Sequence, residues 1–228
     1  MSIAQNIAGI EERIQKACGL CGRKREEISL MAVSKFVPLP MIEEAFSAGI
    51  SLFGESRVKE AAAKLETFKR EHCKARLHLI GSLQRNKAKQ AALFFDCVQS
   101  VDRLELAAEL AKHAPGREKP LEVFLELHTG EQSKSGFADL DGLFEAAEMV
   151  CGCAHLLPAG LMTMAPNTTD TQLIRASFRA LVRAREELGR RFPKENWRCL
   201  SMGMSSDFEI AVEEGSNLLR IGGAIFKE

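Results

Sequence analysis

Eight short apolar runs, separated by charged stretches with helical spacing, restrict this chain more than any other feature. The runs lie at Ile28–Ser34, Ile50–Phe53, Leu77–Ile80, Cys97–Val101, Leu121–Leu127, Leu156–Met162, Arg198–Ser201 and Leu218–Ile221. Between them, Met41–Ala48, Arg57–Arg70, Asn86–Leu93, Arg103–His113, Leu140–Val150, Thr171–Leu188 and Asp207–Glu213 carry the charged residues. Strands that alternate with helices imply right-handed crossovers and a parallel sheet, and eight repeats suit closure into a single (β/α)8 barrel of the TIM type. A doubly wound open sheet leaves the same local signature and stands as the alternative. Ahead of the first run, Ile3, Ile7, Ile10, Ile14 and Ala17 recur at helical spacing, which adds an N-terminal helix ending near Gly19. No linker or low-complexity tract divides residues 1–228, so one α/β domain is expected.

Charge narrows the partners. Lysine plus arginine number 31 and aspartate plus glutamate number 31, so the chain has no net positive field for a nucleic acid or an anionic membrane surface. The opening residues 1–10 have no basic flank before an apolar stretch, and no segment reaches the ~20 apolar residues that span a bilayer. A cytoplasmic, monomeric protein is expected. The seven cysteines are an odd number in a chain with ample material for a core. Cys18 with Cys21, and Cys151 with Cys153 and His155, raise a metal or redox site. Each cluster lacks a second half at zinc-site spacing, which favours plain thiols and no metal. The basic residues from Arg175 through Arg191 fit the solvated face of a helix.

In a closed barrel the active site lies at the carboxyl ends of the strands, and the loops after the last two commonly hold a phosphate. Here those loops are Ser201-Met202-Gly203-Met204-Ser205-Ser206 and Arg220-Ile221-Gly222-Gly223. Glycine lets the main chain approach an anion, and backbone N–H groups supply donors. The plainer reading of the same residues is a helix cap, Ser206 with Glu209 as a capping box, and a terminal turn. Lys35 directly follows the first run and points into the mouth. Because strand one pairs with strand eight in a closed barrel, it lies near Arg220. Positive charge and partial burial would favour the neutral amine, the form that attacks an aldehyde. An ordinary surface lysine is the alternative.

Six ordered motifs carry a family resemblance over nearly the whole chain: Ala32-Val33-Ser34-Lys35, Phe53-Gly54-Glu55, His78 through Lys87, Lys134-Ser135-Gly136, Gly160-Leu161-Met162, and Ser201 through Ser205 with Arg220-Ile221-Gly222 and Ala224-Ile225-Phe226. Together they resemble the pyridoxal phosphate homeostasis proteins. The resemblance implies a barrel like the N-terminal domain of alanine racemase, with pyridoxal 5′-phosphate (PLP) as a Schiff base on Lys35. It further implies Arg220 facing the pyridine nitrogen, and the phosphate held around Ser201, Gly203, Gly222 and Gly223. Ser56 stands where the family commonly has asparagine, Leu77 where it often has tryptophan, and Gly223 where a hydroxyl often follows. A contact from Ser56 and part of the phosphate grip are therefore open.

His78, inside an apolar run, reads as a core histidine satisfied by a neighbour rather than a base. Gln84-Arg85-Asn86-Lys87 fits an anion or partner site or a polar helix start, and Met162 and Met164 read as barrel filling. Three functions compete: a PLP carrier serving PLP-requiring apo-enzymes without turnover of its own, a PLP-dependent amino-acid racemase, and a cofactor-free aldolase that forms its Schiff base with a sugar phosphate. The chain has no tyrosine. It also leaves no room for the second, β-rich domain that supplies one in the alanine racemase pattern, which is why the carrier is expected.

Overall fold

The computed structural model describes residues 2–130 and 135–227. Its strands are β1 (Ser29–Val33), β2 (Leu52–Glu55), β3 (Arg76–Leu79), β4 (Cys97–Val101), β5 (Leu121–Glu126), β6 (Leu156–Met162), β7 (Cys199–Ser201) and β8 (Leu218–Ile221). They close in sequence order into a parallel barrel, β8 pairing back onto β1. The open sheet is thereby excluded. The helices are α1 (Ile3–Cys21), α2 (Leu39–Ser47), α3 (Val58–Glu71), α4 (Ala88–Phe94), α5 (Leu104–His113), α6 (Leu140–Cys151), α7 (Thr171–Arg191), α8 (Phe208–Glu213) and α9 (Gly223–Phe226).

Strand alternation sorts the side chains into two layers. Leu30, Ala32, Phe53, Leu77, Leu79, Val123, Leu125, Leu161, Leu200, Leu219 and Ile221 face the helices in the main core. Met31, Cys97, Phe124, Met162 and Leu218 form a separate cluster inside the barrel. Burying one side chain of leucine or phenylalanine size contributes roughly 1.5–3 kcal/mol, so the outer layer between sheet and helices supplies most of the stability. Above the inner apolar layer, toward the carboxyl ends, the inward positions turn polar: Gln99, Glu126, Ser201 and Arg220 are all buried.

Several boundaries differ from the sequence reading for identifiable reasons. Helix α1 runs past Gly19 to Cys21 and stops at Gly22, whose φ of 70° provides the left-handed cap. Strand β2 begins two residues later than the apolar run and extends to Glu55. Ile50 instead donates its N–H to Ala45 O at 3.1 Å and closes the end of α2. The Arg85–Lys87 stretch is a 3-10 turn ahead of α4, so the helix starts at Ala88. The capping box on Ser206 does not form: Asp207 is the N-cap of α8, and its carboxylate accepts from Met204 N at 2.6 Å. Met162 fills the barrel as expected, but Met164 lies half-buried in the loop beyond it.

Candidate functional site

Lys35 follows β1 on the inward parity of Met31 and Val33, in a turn closed by Val37 N donating to Ser34 O at 3.0 Å. It is exposed, so the partial burial expected of it is not found. The next residue, Phe36, has φ 62°, a conformation that a bulky side chain adopts only at a cost of order 1–3 kcal/mol. The strain is held in place from below. Lys64 on α3 donates to Ser34 O at 2.8 Å and Val37 O at 3.1 Å, and it pairs with the buried Glu55 carboxylate at 2.8 Å. The same carboxylate oxygen accepts from Ser34 Oγ at 2.7 Å. The turn that presents Lys35 is thus clamped at both ends.

Across the β1–β8 seam, Met31 pairs with Arg220 and Ala32 with Ile221. A Cβ placed on Gly222 would lie 3.3 Å from Val33 Cβ and Val33 O, so the β8 turn packs directly on the strand that leads to Lys35. Arg220 is 4% exposed and donates Nη1 to Ser201 Oγ at 2.8 Å and Nη2 to Thr163 O at 2.7 Å. Burial lowers its pKa to about 10, against the opposing pull of Glu126 and Asp207, so it stays charged at neutral pH. Glu126, 1% exposed, is raised to about 7 by burial. One of its oxygens accepts from Ser135 Oγ at 2.8 Å, and the other has no partner among the described residues.

The remaining expected residues fall in different places. Ser201 is fully buried, and its hydroxyl bonds Gln99 Oε1 at 2.7 Å as well as Arg220. Gly203 has φ 98° and accepts Arg220 N–H at 2.9 Å on its carbonyl, so it ties the β7 turn to β8. Gly223 starts α9, with Lys227 Nζ 3.8 Å from the position of a Cβ there, a cation that no motif singles out. Ser56 is brought against Gly81 and lines a groove of about 440 Å3 with Arg57, Ser82, Gln84 and Lys87. A larger hollow of about 740 Å3 lies between the β6–α7 loop and α8, lined by Asn167, Thr168, Met204 and Ser206 among others. Lys134 of the Lys134-Ser135-Gly136 motif lies outside the described residues. The cysteines are unpaired thiols, and Cys21 Sγ bonds Ala17 O within its own helix.

Toward the other end of the barrel, His78, Cys97 and Glu122 bring ligand-type atoms within 4.8 Å of one another. Glu122 is ion-paired with Arg76 at 2.8 Å. Burial pushes the Cys97 thiol up and that of Cys199 to about 12. A cation there would face a guanidinium and protonated thiols, so the trio carries no metal assignment.

These features define a class, which comparison with known proteins makes specific. Residues 6–228 match the family described as alanine racemase, N-terminal domain. The chain is 40% identical over 230 residues to the pyridoxal phosphate homeostasis protein of Vibrio cholerae serotype O1, covering 100% of this chain and 96% of that one. The protein of the same name from Escherichia coli strain K12 is 38% identical, with 98% and 95% covered. This chain belongs to the pyridoxal phosphate homeostasis protein family. Among solved structures, PipY of Synechococcus elongatus with PLP bound superposes with a TM-score of 0.84 at 31% identity, covering 99% of this chain and 100% of that one. Alanine racemase from E. faecalis superposes at 0.72 with 19% identity, over 100% of this chain and 59% of that one, a likeness of fold alone. No helix among the described residues is long and apolar enough to cross a membrane.

Proposed function

We propose that this protein binds PLP as a Schiff base on Lys35 and holds it for delivery, serving intracellular PLP and amino-acid homeostasis without a dedicated turnover reaction of its own. The observation that carries the reading is the β1–β8 seam. It pairs the strand that leads into the clamped turn of the exposed Lys35 with the strand that carries the buried Arg220, and it packs a glycine turn on Val33. The residues present fit the group: an amine for its aldehyde, a permanent donor for its ring nitrogen, main-chain N–H groups and Lys227 for its phosphate, and a carboxyl oxygen on Glu126 that has no partner among the described residues. The PLP bound to PipY and the names of the relatives support the same reading.

When bound, PLP supplies an aldehyde that captures amines and a ring that withdraws electrons. Arg220 tempers that withdrawal. A guanidinium only donates, so facing the pyridine nitrogen it keeps a proton off the ring, which makes a poor electron sink. Gly222 and Gly223 present N–H groups to the phosphate, and a charged acceptor strengthens each such bond. In the arrangement described, the Ser201 hydroxyl proton is engaged by Gln99, so this residue acts on the site chiefly by holding Arg220. Racemisation needs an acid or base on each face of the substrate α-carbon. With no tyrosine in the chain, a second such group is not evident, which supports the carrier.

The test is absorbance. Wild-type protein incubated with PLP and desalted should be yellow, and Lys35→Ala should be colourless with an unchanged far-UV circular dichroism spectrum. Equal colour in the variant would overturn the assignment of Lys35. Turnover of L-alanine to its enantiomer at about one per second or faster, within the usual enzyme range, would overturn the carrier reading.

A further inference from the structure

His78 belongs to a motif for which the proposed function has no use, yet it sits at the end of a chain of buried hydrogen bonds leading to Arg220. Gln99 Nε2 is 2.8 Å from His78 Nδ1, Ser201 Oγ is 2.7 Å from Gln99 Oε1, and Arg220 Nη1 is 2.8 Å from Ser201 Oγ. None of the four residues is more than 4% exposed, so water does not substitute for any link.

The charge on Arg220 fixes the direction of every bond. A guanidinium has no acceptor, so Ser201 Oγ accepts from it. The single proton of that hydroxyl then points at Gln99, which must present its carbonyl oxygen. The other end of the amide, the NH2 group, therefore donates to His78 Nδ1. The imidazole is left neutral, with its proton on Nε2, a buried atom with no hydrogen-bond partner among the described residues. Turning the Gln99 amide over would place two donors on Ser201 Oγ and leave its proton without this acceptor, while His78 Nε2 would stay unpartnered all the same, so that orientation strands one buried group more. Burial, with Arg76 and Lys69 nearby, also disfavours the charged imidazole.

We propose that Gln99 and His78 are positioning residues for Arg220, acting through Ser201 to lock the guanidinium in the orientation in which it meets the ring of PLP. The proposal rests on the reading of Arg220 as the ring's partner, but its first test needs no cofactor. In the folded protein without PLP, 15N NMR should show His78 as the Nε2–H tautomer. The Arg220 Nη1 and Nη2 signals should be resolved from one another because rotation about the guanidinium bonds is hindered. Gln99→Leu should merge those two signals. Gln99→Glu, whose carboxylate accepts from both neighbours, should keep them apart while moving the His78 proton to Nδ1. An Nδ1–H tautomer in the wild type, or Arg220 signals indifferent to Gln99→Leu, would overturn the proposal. If Gln99→Leu does not fold, the tautomer in the wild type and its reversal in Gln99→Glu decide the matter.

The second test uses the loaded protein. Gln99→Leu should weaken PLP retention about tenfold, equivalent to ~1.4 kcal/mol, and shift the visible band, with Gln99→Glu restoring the wild-type band. A band and affinity unchanged in Gln99→Leu would refute the positioning role. Wild-type protein that takes up no PLP would instead refute the function proposed above, and the NMR result would stand apart from it.

Discussion

Replacing Lys64 with methionine keeps most of the length and the apolar stem of the side chain while removing its charge and three donors. The Lys64 ammonium bonds Ser34 O at 2.8 Å, Val37 O at 3.1 Å and Glu55 at 2.8 Å, and Glu55 is 2% exposed. Breaking a buried ion pair from one side costs ~3–5 kcal/mol, because the remaining charge is left uncompensated. The Lys64 side chain is 20% exposed, so some water can reach the vacated site, and Ser34 Oγ still bonds the carboxylate. A net loss of about 2–3 kcal/mol is therefore expected, which for a chain of this size lowers Tm by roughly 5–10 °C. The effect should be local as well as global. With the clamp gone, Phe36 is free to leave its φ of 62°, and Lys35 loses its fixed presentation. Denaturant unfolding should show a lower midpoint at unchanged slope, and PLP should be retained more weakly than the stability loss alone explains. The double variant Lys64→Met with Glu55→Gln, which also removes the stranded charge, should recover part of the stability but not the retention. A Tm within a degree of wild type in Lys64→Met would refute the clamp, and unchanged PLP retention would refute its link to Lys35.

Other perturbations have equally definite signs. Glu126 is raised from 4.5 to about 7, so the folded state holds a proton that the unfolded state has released between those values. Stability is therefore lost as pH rises through that window, by up to about 3 kcal/mol. Glu126→Gln should abolish this pH dependence and be the more stable protein at pH 8; parallel stability curves for the two proteins from pH 4 to 8 would contradict it. Gly203→Ala places a Cβ 2.6 Å from Ala211 Cβ at φ 98°, and should cost roughly 2–3 kcal/mol in denaturant unfolding; a loss below about 0.5 kcal/mol would refute the constraint. Pyridoxal lacking its phosphate should bind at least tenfold more weakly than PLP, a deficit of ~1.4 kcal/mol or more. Equal affinities in a titration would remove the phosphate from the Gly222–Gly223 turn.

The barrel was legible because its alternation is carried by apolar residues, and those report burial directly. Once closure is assumed, the strand that leads to Lys35 pairs with the strand that carries Arg220, although the two strands lie at opposite ends of the sequence. The groups that support them were hidden for particular reasons. Gln99 faces inward on a strand whose pairing with β5 slips between Val98 and Val101, so counting along the run does not fix its side. Lys64 reads as one more charge on an amphipathic helix, and only the fold shows it reaching under the Lys35 turn. Glu126 closes an apolar run where a carboxylate looks like a strand end, whereas its oxygens are turned into the barrel mouth beside Ser135. Ser56 packs by its backbone on Gly81 and lines a groove with Arg57, Ser82 and Gln84, a placement that motif spacing alone does not convey.

The covalent bond to Lys35 is the claim on which the rest depends, and borohydride tests it most directly. Hydride reduces a Schiff base to a stable secondary amine, so protein loaded with PLP, reduced, digested and mapped by mass spectrometry retains the label on the residue that carried it. The account predicts near-stoichiometric phosphopyridoxyl label on the peptide containing Lys35, and loss of that label in Lys35→Ala without its transfer to Lys64 or Lys227. Label spread over surface lysines, or concentrated on a lysine other than Lys35, would contradict it.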